Sequence, residues 1–136
     1  MNYITHTRFR TRAICGEVNI PAKTPIDERG GMLYYNGRPL CATRSQNALD
    51  YFARDDDGRG MERGRLTKAI ITRLKGDPRE QEVQARWDKV WDDELCQKYK
   101  RPEHADHWLW NKDFYNAPVE DLQYICKLVG ARKGAA

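Results

Sequence analysis

Alternation of apolar and polar residues dominates the first 44 positions of the chain and predicts β-structure there. The longest alternating run is Tyr3–Cys15, and Glu17–Ile20 is a second, shorter extended segment. The next segment, Ile20–Ile26, contains two prolines, which exclude a central paired strand. We interpret it as the corner of an antiparallel sheet or small barrel that spans residues about 3–44.

The clearest local signal is the dipeptide Asn36-Gly37, which lies between two apolar runs. It predicts a two-residue β-hairpin turn, because both turn positions require a positive φ that Asn and Gly adopt readily. Gly30-Gly31 predicts another turn directly before this hairpin. These turns support an antiparallel arrangement of the N-terminal strands.

Helical spacing of apolar residues replaces the alternation after Ser45, a favourable N-cap residue. The pattern predicts three or four helices packed on the sheet, at about 46–53, 62–75, 78–99 and 118–129. A strand-rich half followed by a helix-rich half defines an α+β fold. We expect residues 1–130 to form a single domain and residues 131–136 to form a flexible C-terminal tail.

The charges of the chain are mixed in sign and unevenly distributed. Charged residues make up 32% of the 136 residues, and the formal net charge is +4. Residues 1–78 carry 14 Lys and Arg against 9 Asp and Glu, whereas residues 79–136 carry 10 against 11. The excess positive charge is therefore N-terminal, which favours an anionic partner.

The four cysteines are scattered and form no C-x-x-C pair; they are Cys15, Cys41, Cys96 and Cys126. No apolar run approaches the roughly 18–20 residues that a membrane span needs. These features predict a cytoplasmic protein with reduced thiols and no membrane partner.

Three arginines alternate along the first predicted strand: Arg8, Arg10 and Arg12, which we call the arginine row. Alternate side chains of a strand share one face, so the row is expected to lie on a single face together with His6. Neighbouring members would be roughly 6.6 Å apart, and guanidinium groups bind phosphate oxygens in a bidentate manner. The alternative is that the row is neutralised within the chain, by Glu17, Asp27 or Glu28.

Further ligand-binding candidates come from the same β-rich half. Lys23, Arg38 and Arg44 could enlarge the basic surface. Tyr34 or Tyr35 could provide an aromatic surface on which a base stacks. Regular alternation would place one of these two tyrosines in the core and leave the other for a ligand.

Two other clusters raise the question of metal chemistry. The acidic loop Asp55–Asp57 does not have calcium-loop spacing, but with Glu62 it could bind Mg²⁺ or simply cap the next helix. His104 and His107, with Cys96 upstream, lack the second ligand pair of a zinc finger. No nucleophile motif or phosphate-binding glycine loop is present, so we predict no catalytic residue, cofactor or metal site.

The leading hypothesis is a non-enzymatic binding protein whose basic β-strand face contacts nucleic acid or a nucleotide. A second hypothesis is an accessory protein of a phage or mobile element that inhibits a host defence complex or sequesters its nucleotide signal, an analogy from general character alone. A third is a Mg²⁺-dependent hydrolase built on the Asp55–Asp57 loop. Aromatic side chains exposed on the helical half could also form the contact of a homo-oligomer.

Overall fold

A computed structural model describes residues 2–75, 80–100 and 111–131. The chain divides into two compact units, an N-terminal unit, Met1–Gly64, and a C-terminal unit, Arg65–Ala136. Antiparallel strands come first and helices follow, so the predicted α+β class is confirmed. His104, His107 and the predicted tail from residue 132 onward lie outside the described residues.

Seven strands form two antiparallel sheets in the described part of the N-terminal unit. The strands are β1 Asn2–Thr5, β2 Phe9–Ala13, β3 Gly16–Ile20, β4 Pro25–Arg29, β5 Met32–Tyr35, β6 Arg38–Ala42 and β7 Phe52–Arg54. The larger sheet has the strand order β6-β5-β4-β1-β7, and the smaller sheet is the hairpin β2-β3. The arrangement is an open sheet with a separate hairpin and not the closed small barrel that was one of the two predicted forms.

The long alternating run predicted as one strand is divided between the two sheets. Tyr3 pairs with Ile26 of β4, whereas Phe9 pairs with Ile20 of β3. Between them the chain bends, and the backbone N–H of His6 donates a hydrogen bond to a carbonyl outside β2 and β3. His6 is therefore not part of the strand that carries Arg10 and Arg12, and the prediction of one continuous face is wrong at that residue.

Two strands were not predicted. Pro25 begins the central strand β4, where the missing N–H of proline is tolerated at the first position. The irregular corner is accordingly limited to residues 21–24. The first helix was predicted to extend to residue 53, but Phe52–Arg54 instead pairs with β1 as β7, because strand pairing satisfies its backbone groups at the sheet edge.

The two predicted turns are confirmed by their backbone angles. Asn36 and Gly37 have φ of 51° and 76°, and they join β5 to β6. Gly30 and Gly31 have φ of 56° and 82°, and they join β4 to β5. Local turn chemistry therefore determines the register of three consecutive strands.

An apolar cluster packs the two sheets of the N-terminal unit together. Its members include Tyr3, Phe9, Ile20, Leu33 and Phe52. The ring of Phe9 lies 5.0 Å from that of Tyr51 in an edge-to-face arrangement and 5.1 Å from that of Phe52. Burying a side chain of this size stabilises a fold by about 2–3 kcal/mol, so Phe9 anchors the β2–β3 hairpin on its inner face.

The described helices are α1 Gln46–Tyr51, α2 Gly60–Leu74, α3 Gln81–Asp92, α4 Lys112–Tyr115 and α5 Val119–Leu128, with a 3₁₀ turn at Leu95–Tyr99. Ser45 caps α1 as predicted, because its side chain accepts a hydrogen bond from the N–H of Ala48. The helix predicted at 78–99 ends at Asp92. The side chain of Asp93 accepts the N–H of Cys96 at 3.1 Å, which favours the 3₁₀ turn over continued α-helix.

The start of α2 lies close to the strand β1 and the segment after it. A Cβ added at Gly60 would come within 2.5 Å of the Ile4 side chain, and one added at Gly64 would overlap the His6 side chain. Glycine at both positions therefore allows the close approach of this helical turn. No helix in the described residues is long and apolar enough to cross a membrane.

Candidate anion-binding site

The candidate site is built on the β2–β3 hairpin, whose five residue pairs are closed by the two-residue loop Ile14-Cys15. The tip is fixed to β6 by two backbone hydrogen bonds. The N–H of Ile14 donates to the carbonyl of Leu40 at 2.9 Å, and the N–H of Cys15 donates to that of Pro39 at 3.1 Å. The hairpin is thus held at its tip as well as through its apolar face.

The two faces of the hairpin differ sharply in exposure. Phe9, Ala13 and Ile20 are buried on one face, while Arg10 and Arg12 are exposed on the other. Cross-strand register places Glu17 opposite Arg12 and Asn19 opposite Arg10 on this outer face. The alternation predicted from the sequence thus extends along the whole of β2.

Arg8 precedes β2 and is also exposed. Its guanidinium donates a hydrogen bond to the side-chain oxygen of Asn19 at 2.8 Å. Within the described residues, Arg10 and Arg12 make no hydrogen bond or ion pair through their side chains. Internal neutralisation of these two charges is thus not observed in the described part of the chain.

The outer face of the hairpin forms a shallow hollow of about 480 Å³, which we call the first hollow. It is lined by Arg10, Arg12, Glu17, Asn19 and the central pair Thr11 and Val18. The side chains of Thr11 and Val18 point to the opposite face, so these two residues contribute their backbone atoms to the floor of the hollow. The first hollow therefore presents two guanidinium groups and one carboxylate around a peptide floor.

A second hollow of about 270 Å³ lies between β3 and the β5–β6 turn. It is lined by Glu17–Ile20, Cys15, Tyr35, Asn36, Arg38 and Leu40. Residues 17–19 line both hollows, so the two hollows adjoin along β3. Two of the candidates predicted from the sequence, Arg38 and Tyr35, are thereby brought beside the arginine row.

The other candidate residues are exposed or half-buried but do not line either hollow. Lys23 lies in the corner between β3 and β4, and Arg44 follows β6. Tyr34 is covered by the guanidinium of Arg29, 4.5 Å from the ring centre. Tyr35 packs in part against the apolar cluster, but both tyrosines are half-buried and the β5–β6 register shifts between Leu33 and Tyr34, so the regular alternation that would bury one and expose the other is not observed.

The net charge of the protein comes from the segment of the chain that contains this site. Residues 1–44 carry seven Lys and Arg against three Asp and Glu, a net charge of +4, which equals the net charge of the whole chain. Residues 45–136 are therefore neutral overall. A concentrated positive potential attracts anions more strongly than the same charge spread over the whole surface.

The acidic loop caps the next helix, which was one of the two predicted roles, and its other two aspartates have structural roles that were not predicted. The side chain of Asp55 accepts the N–H of Gly60 at 2.8 Å at the start of α2, and that of Asp56 accepts the N–H of Asn2 at 2.7 Å. Asp57 forms a two-point ion pair with Arg63, whose side chain is fully buried. Hydrogen bonds from Arg63 hold the pKa of Asp57 well below its usual range.

Arg63 is the polar residue that sequence reasoning missed. Its guanidinium also donates to the backbone carbonyl of Arg54 at 2.5 Å. A signal for its burial was present, because Arg63 precedes Leu66 and Ile70 by three and seven residues, on the apolar side of α2. In the described residues, no group of three or more His, Cys, Asp or Glu is arranged to hold a metal ion.

Comparison of the chain with protein-family models, with curated proteins and with solved structures finds no match. Function is therefore inferred from the geometry and charge of the site. The features that bear on it are two arginines without a partner in the described residues, two adjoining hollows, and the excess positive charge of residues 1–44.

Proposed function

We propose that the protein is a non-enzymatic binding protein whose β2–β3 hairpin contacts the phosphates of a nucleic acid or nucleotide. Arg10 and Arg12 bind the phosphate oxygens, and Arg8 supports them from the base of the hairpin. The observation that carries this proposal is that Arg10 and Arg12 project from one concave face and have no partner among the described residues.

Physical chemistry favours phosphate as the occupant of the first hollow. Like charges along one strand face repel each other, and a bound anion relieves that repulsion. Arginine is more weakly hydrated than lysine and binds phosphate through a planar fork. The hydrogen bond from Arg8 to Asn19 holds a third positive charge near the same edge.

Glu17 shapes the selectivity of this surface. It lies opposite Arg12 and lines the first hollow, so a phosphate bound there meets one carboxylate as well as two guanidinium groups. That carboxylate lowers the affinity for phosphate alone and accepts hydrogen bonds from sugar hydroxyls or base amines. The site is accordingly better suited to a nucleotide unit than to an inorganic anion.

The test is fluorescence polarisation with labelled single-stranded and double-stranded DNA and RNA across a salt series. Binding should weaken steeply between about 50 and 200 mM salt, as phosphate contacts require. The double variant Arg10→Ala/Arg12→Ala should bind at least about tenfold more weakly, with a salt slope reduced by about 1.5 for two lost contacts.

The matched control is Arg65→Ala/Lys68→Ala. These residues are exposed on α2 and belong to the C-terminal unit, and their replacement removes the same two charges. This variant should retain the affinity and the salt slope of the parent protein. An equal loss in both variants would mean that net charge alone drives binding, and the proposed site would be wrong. Absence of binding at low salt would direct the search to a protein partner.

A further inference from the structure

The second hollow has a different chemical character from the first, and its wall along β3 is a free strand edge. Within the described residues β3 pairs only with β2. Side chains of consecutive strand residues alternate, yet Glu17–Ile20 all line this hollow. The backbone edge of β3 must therefore face it, which offers N–H and C=O groups that need partners.

The side of the second hollow opposite β3 is aromatic. Tyr35 is half-buried and provides this aromatic surface, whereas Leu40, and Ile20 at the end of β3, are buried and expose almost no surface to a ligand. Asn36 and Arg38 stand at the rim in the β5–β6 turn region, where both are exposed. The hollow thus combines the aromatic surface of Tyr35, a row of backbone hydrogen-bonding groups along β3, and a lining in which Arg38 and Glu17 carry opposite charges.

A nucleobase has the complementary chemistry. Its faces stack on aromatic and apolar side chains, while its edge carries hydrogen-bond donors and acceptors. In a duplex the faces are covered by neighbouring bases and the pairing edges are occupied. Only an unpaired base can therefore use both the aromatic surface of Tyr35 and the free edge of β3.

We infer that the second hollow receives an unpaired nucleobase of the same ligand whose phosphates contact Arg10 and Arg12. This inference rests on the proposed function, because it assigns the phosphates to the first hollow. The two hollows share residues 17–19, so one ligand reaches both by crossing β3. The ligand class is a single-stranded oligonucleotide or a free nucleotide, which have the same base–sugar–phosphate chemistry.

An extended acidic peptide added to β3 is the competing occupant, because a free strand edge also accepts a peptide strand. The hollow is bounded on its far side by the β5–β6 turn and includes Cys15 of the hairpin tip. A peptide strand paired along all five residues of β3 would extend about 16 Å, which calls for an open groove. A compact hollow of about 270 Å³ favours a planar group.

The first experiment compares three labelled probes that carry the same number of phosphates: a single-stranded oligonucleotide, its abasic counterpart and a duplex. The intact single strand should bind about 5- to 150-fold more tightly than the abasic strand, the range expected for stacking of one base. Competition by AMP at concentrations that displace the oligonucleotide would identify a free nucleotide as a sufficient ligand. Displacement only by oligonucleotides would identify a strand.

The second experiment uses the thiol of Cys15 as a reporter for the second hollow. Cys15 is half-buried and lines the hollow, whereas Cys41, Cys96 and Cys126 are buried. An intact oligonucleotide should slow the alkylation of Cys15, measured by peptide mass spectrometry, by at least about fivefold, while the abasic strand should not. This readout requires no mutation, so misfolding of a variant cannot affect it.

The third experiment separates this inference from the proposed function. Tyr35→Leu should lower affinity for the intact strand about tenfold and leave affinity for the abasic strand unchanged, whereas Tyr35→Phe should bind like the parent. Circular dichroism must first show that both variants are folded. The double variant Arg10→Ala/Arg12→Ala should lose affinity for both strands.

The outcomes distinguish the two claims. Equal affinity for intact and abasic strands, with both lost in Arg10→Ala/Arg12→Ala, would overturn the inference about the base and leave the phosphate site standing. Absence of binding by any nucleic-acid or nucleotide probe would overturn the proposed function itself. Protection of Cys15 by a polyglutamate peptide, with none by an oligonucleotide, would assign the edge of β3 to a peptide and overturn the inference.

Discussion

The two units of this protein differ in the surroundings of their charged residues. In the C-terminal unit, several charged side chains on the helices are partnered within the unit: Lys98 lies 3.2 Å from Asp121, and Asp93 accepts the hydroxyl of Tyr124 at 2.5 Å. In the N-terminal unit, one ion pair is buried at Arg63, while Arg10 and Arg12 project without a partner in the described residues.

The comparison teaches that the arrangement of charges, more than their number, identifies a candidate binding surface. The two units carry the same net charge of +2, with 10 Lys and Arg against 8 Asp and Glu in Met1–Gly64 and 14 against 12 in Arg65–Ala136. Helix α3 carries many charges, but Glu82 and Arg86 lie on neighbouring turns of the same helix at 3.8 Å. Such exposed pairs contribute about 0.3–0.5 kcal/mol and direct little potential outward.

The largest expected effect on stability concerns the buried charge of the N-terminal unit. Asp57→Ala removes a carboxylate that forms a two-point ion pair with the fully buried guanidinium of Arg63. We expect a loss of about 2–3 kcal/mol in the free energy of unfolding, below the usual cost of breaking a buried pair because Asp57 is itself partly exposed. Urea denaturation measures this change. The control is Asp56→Ala, which removes one exposed hydrogen bond and should cost less than about 1 kcal/mol.

The same ion pair predicts how acid affects stability. Arg63 lowers the pKa of Asp57 in the folded state, so the unfolded chain takes up a proton at this residue first as the pH falls. The contribution of Asp57 is therefore fully present above its unfolded pKa and is lost as the pH falls from there toward its folded pKa. Unfolding free energies measured from neutral to acidic pH should decline less steeply in Asp57→Asn. Parallel curves for variant and parent would contradict the prediction.

The third prediction concerns the close approach of α2 in the N-terminal unit. In Gly64→Ala the new methyl group would overlap the His6 side chain, so the helical turn or the chain after β1 must shift. Overpacking of this kind costs about 1–3 kcal/mol, even though alanine is the better helix former. The neighbouring variant Arg65→Ala, at an exposed position, should be neutral or slightly stabilising. A higher unfolding free energy for Gly64→Ala than for the parent would show that α2 and the His6 side chain are not in close contact at this position.

The smallest effects are expected for the tyrosines of the C-terminal unit. Tyr99 is buried, and its hydroxyl donates a hydrogen bond to Asp121, which also pairs with Lys98. Tyr99→Phe should cost about 1 kcal/mol, because Asp121 keeps its second partner. Tyr124 is exposed, so Tyr124→Phe should leave the unfolding midpoint unchanged. If Tyr124→Phe lost more unfolding free energy than Tyr99→Phe, the description of Tyr99 as buried and Tyr124 as exposed would be wrong.

The parts of the fold that follow local chemistry were predictable from the sequence. Asn36-Gly37 specifies its own turn geometry, and the hydroxyl of Ser45 specifies the start of α1. The alternation of β2 was also visible, since Phe9 and Arg10 differ so clearly in polarity. In each case the physical cause lies within a few residues of its effect.

The missed features depend on residues that are distant in sequence. β7 exists because Phe52 and Ala53 pair with β1, about fifty positions earlier, and this pairing prevails over a helical pattern. The second hollow likewise combines β3 with the turn at Asn36, which a linear pattern does not place together. Helix α4 was not predicted, because its four residues after the cap residue Asn111 are too few to show helical spacing of apolar residues.

The two hydrogen bonds that fix the hairpin tip to β6 have a consequence for the thermodynamics of recognition. A hairpin attached only at its base would be mobile, and a ligand that binds it would lose affinity to the entropic cost of ordering it. Here Ile14 and Cys15 are hydrogen-bonded to β6 at the far end, so the backbone that carries Arg10 and Arg12 is held in one conformation. The distance between the two arginines is then fixed, and the hairpin should select ligands whose negative charges have the same spacing.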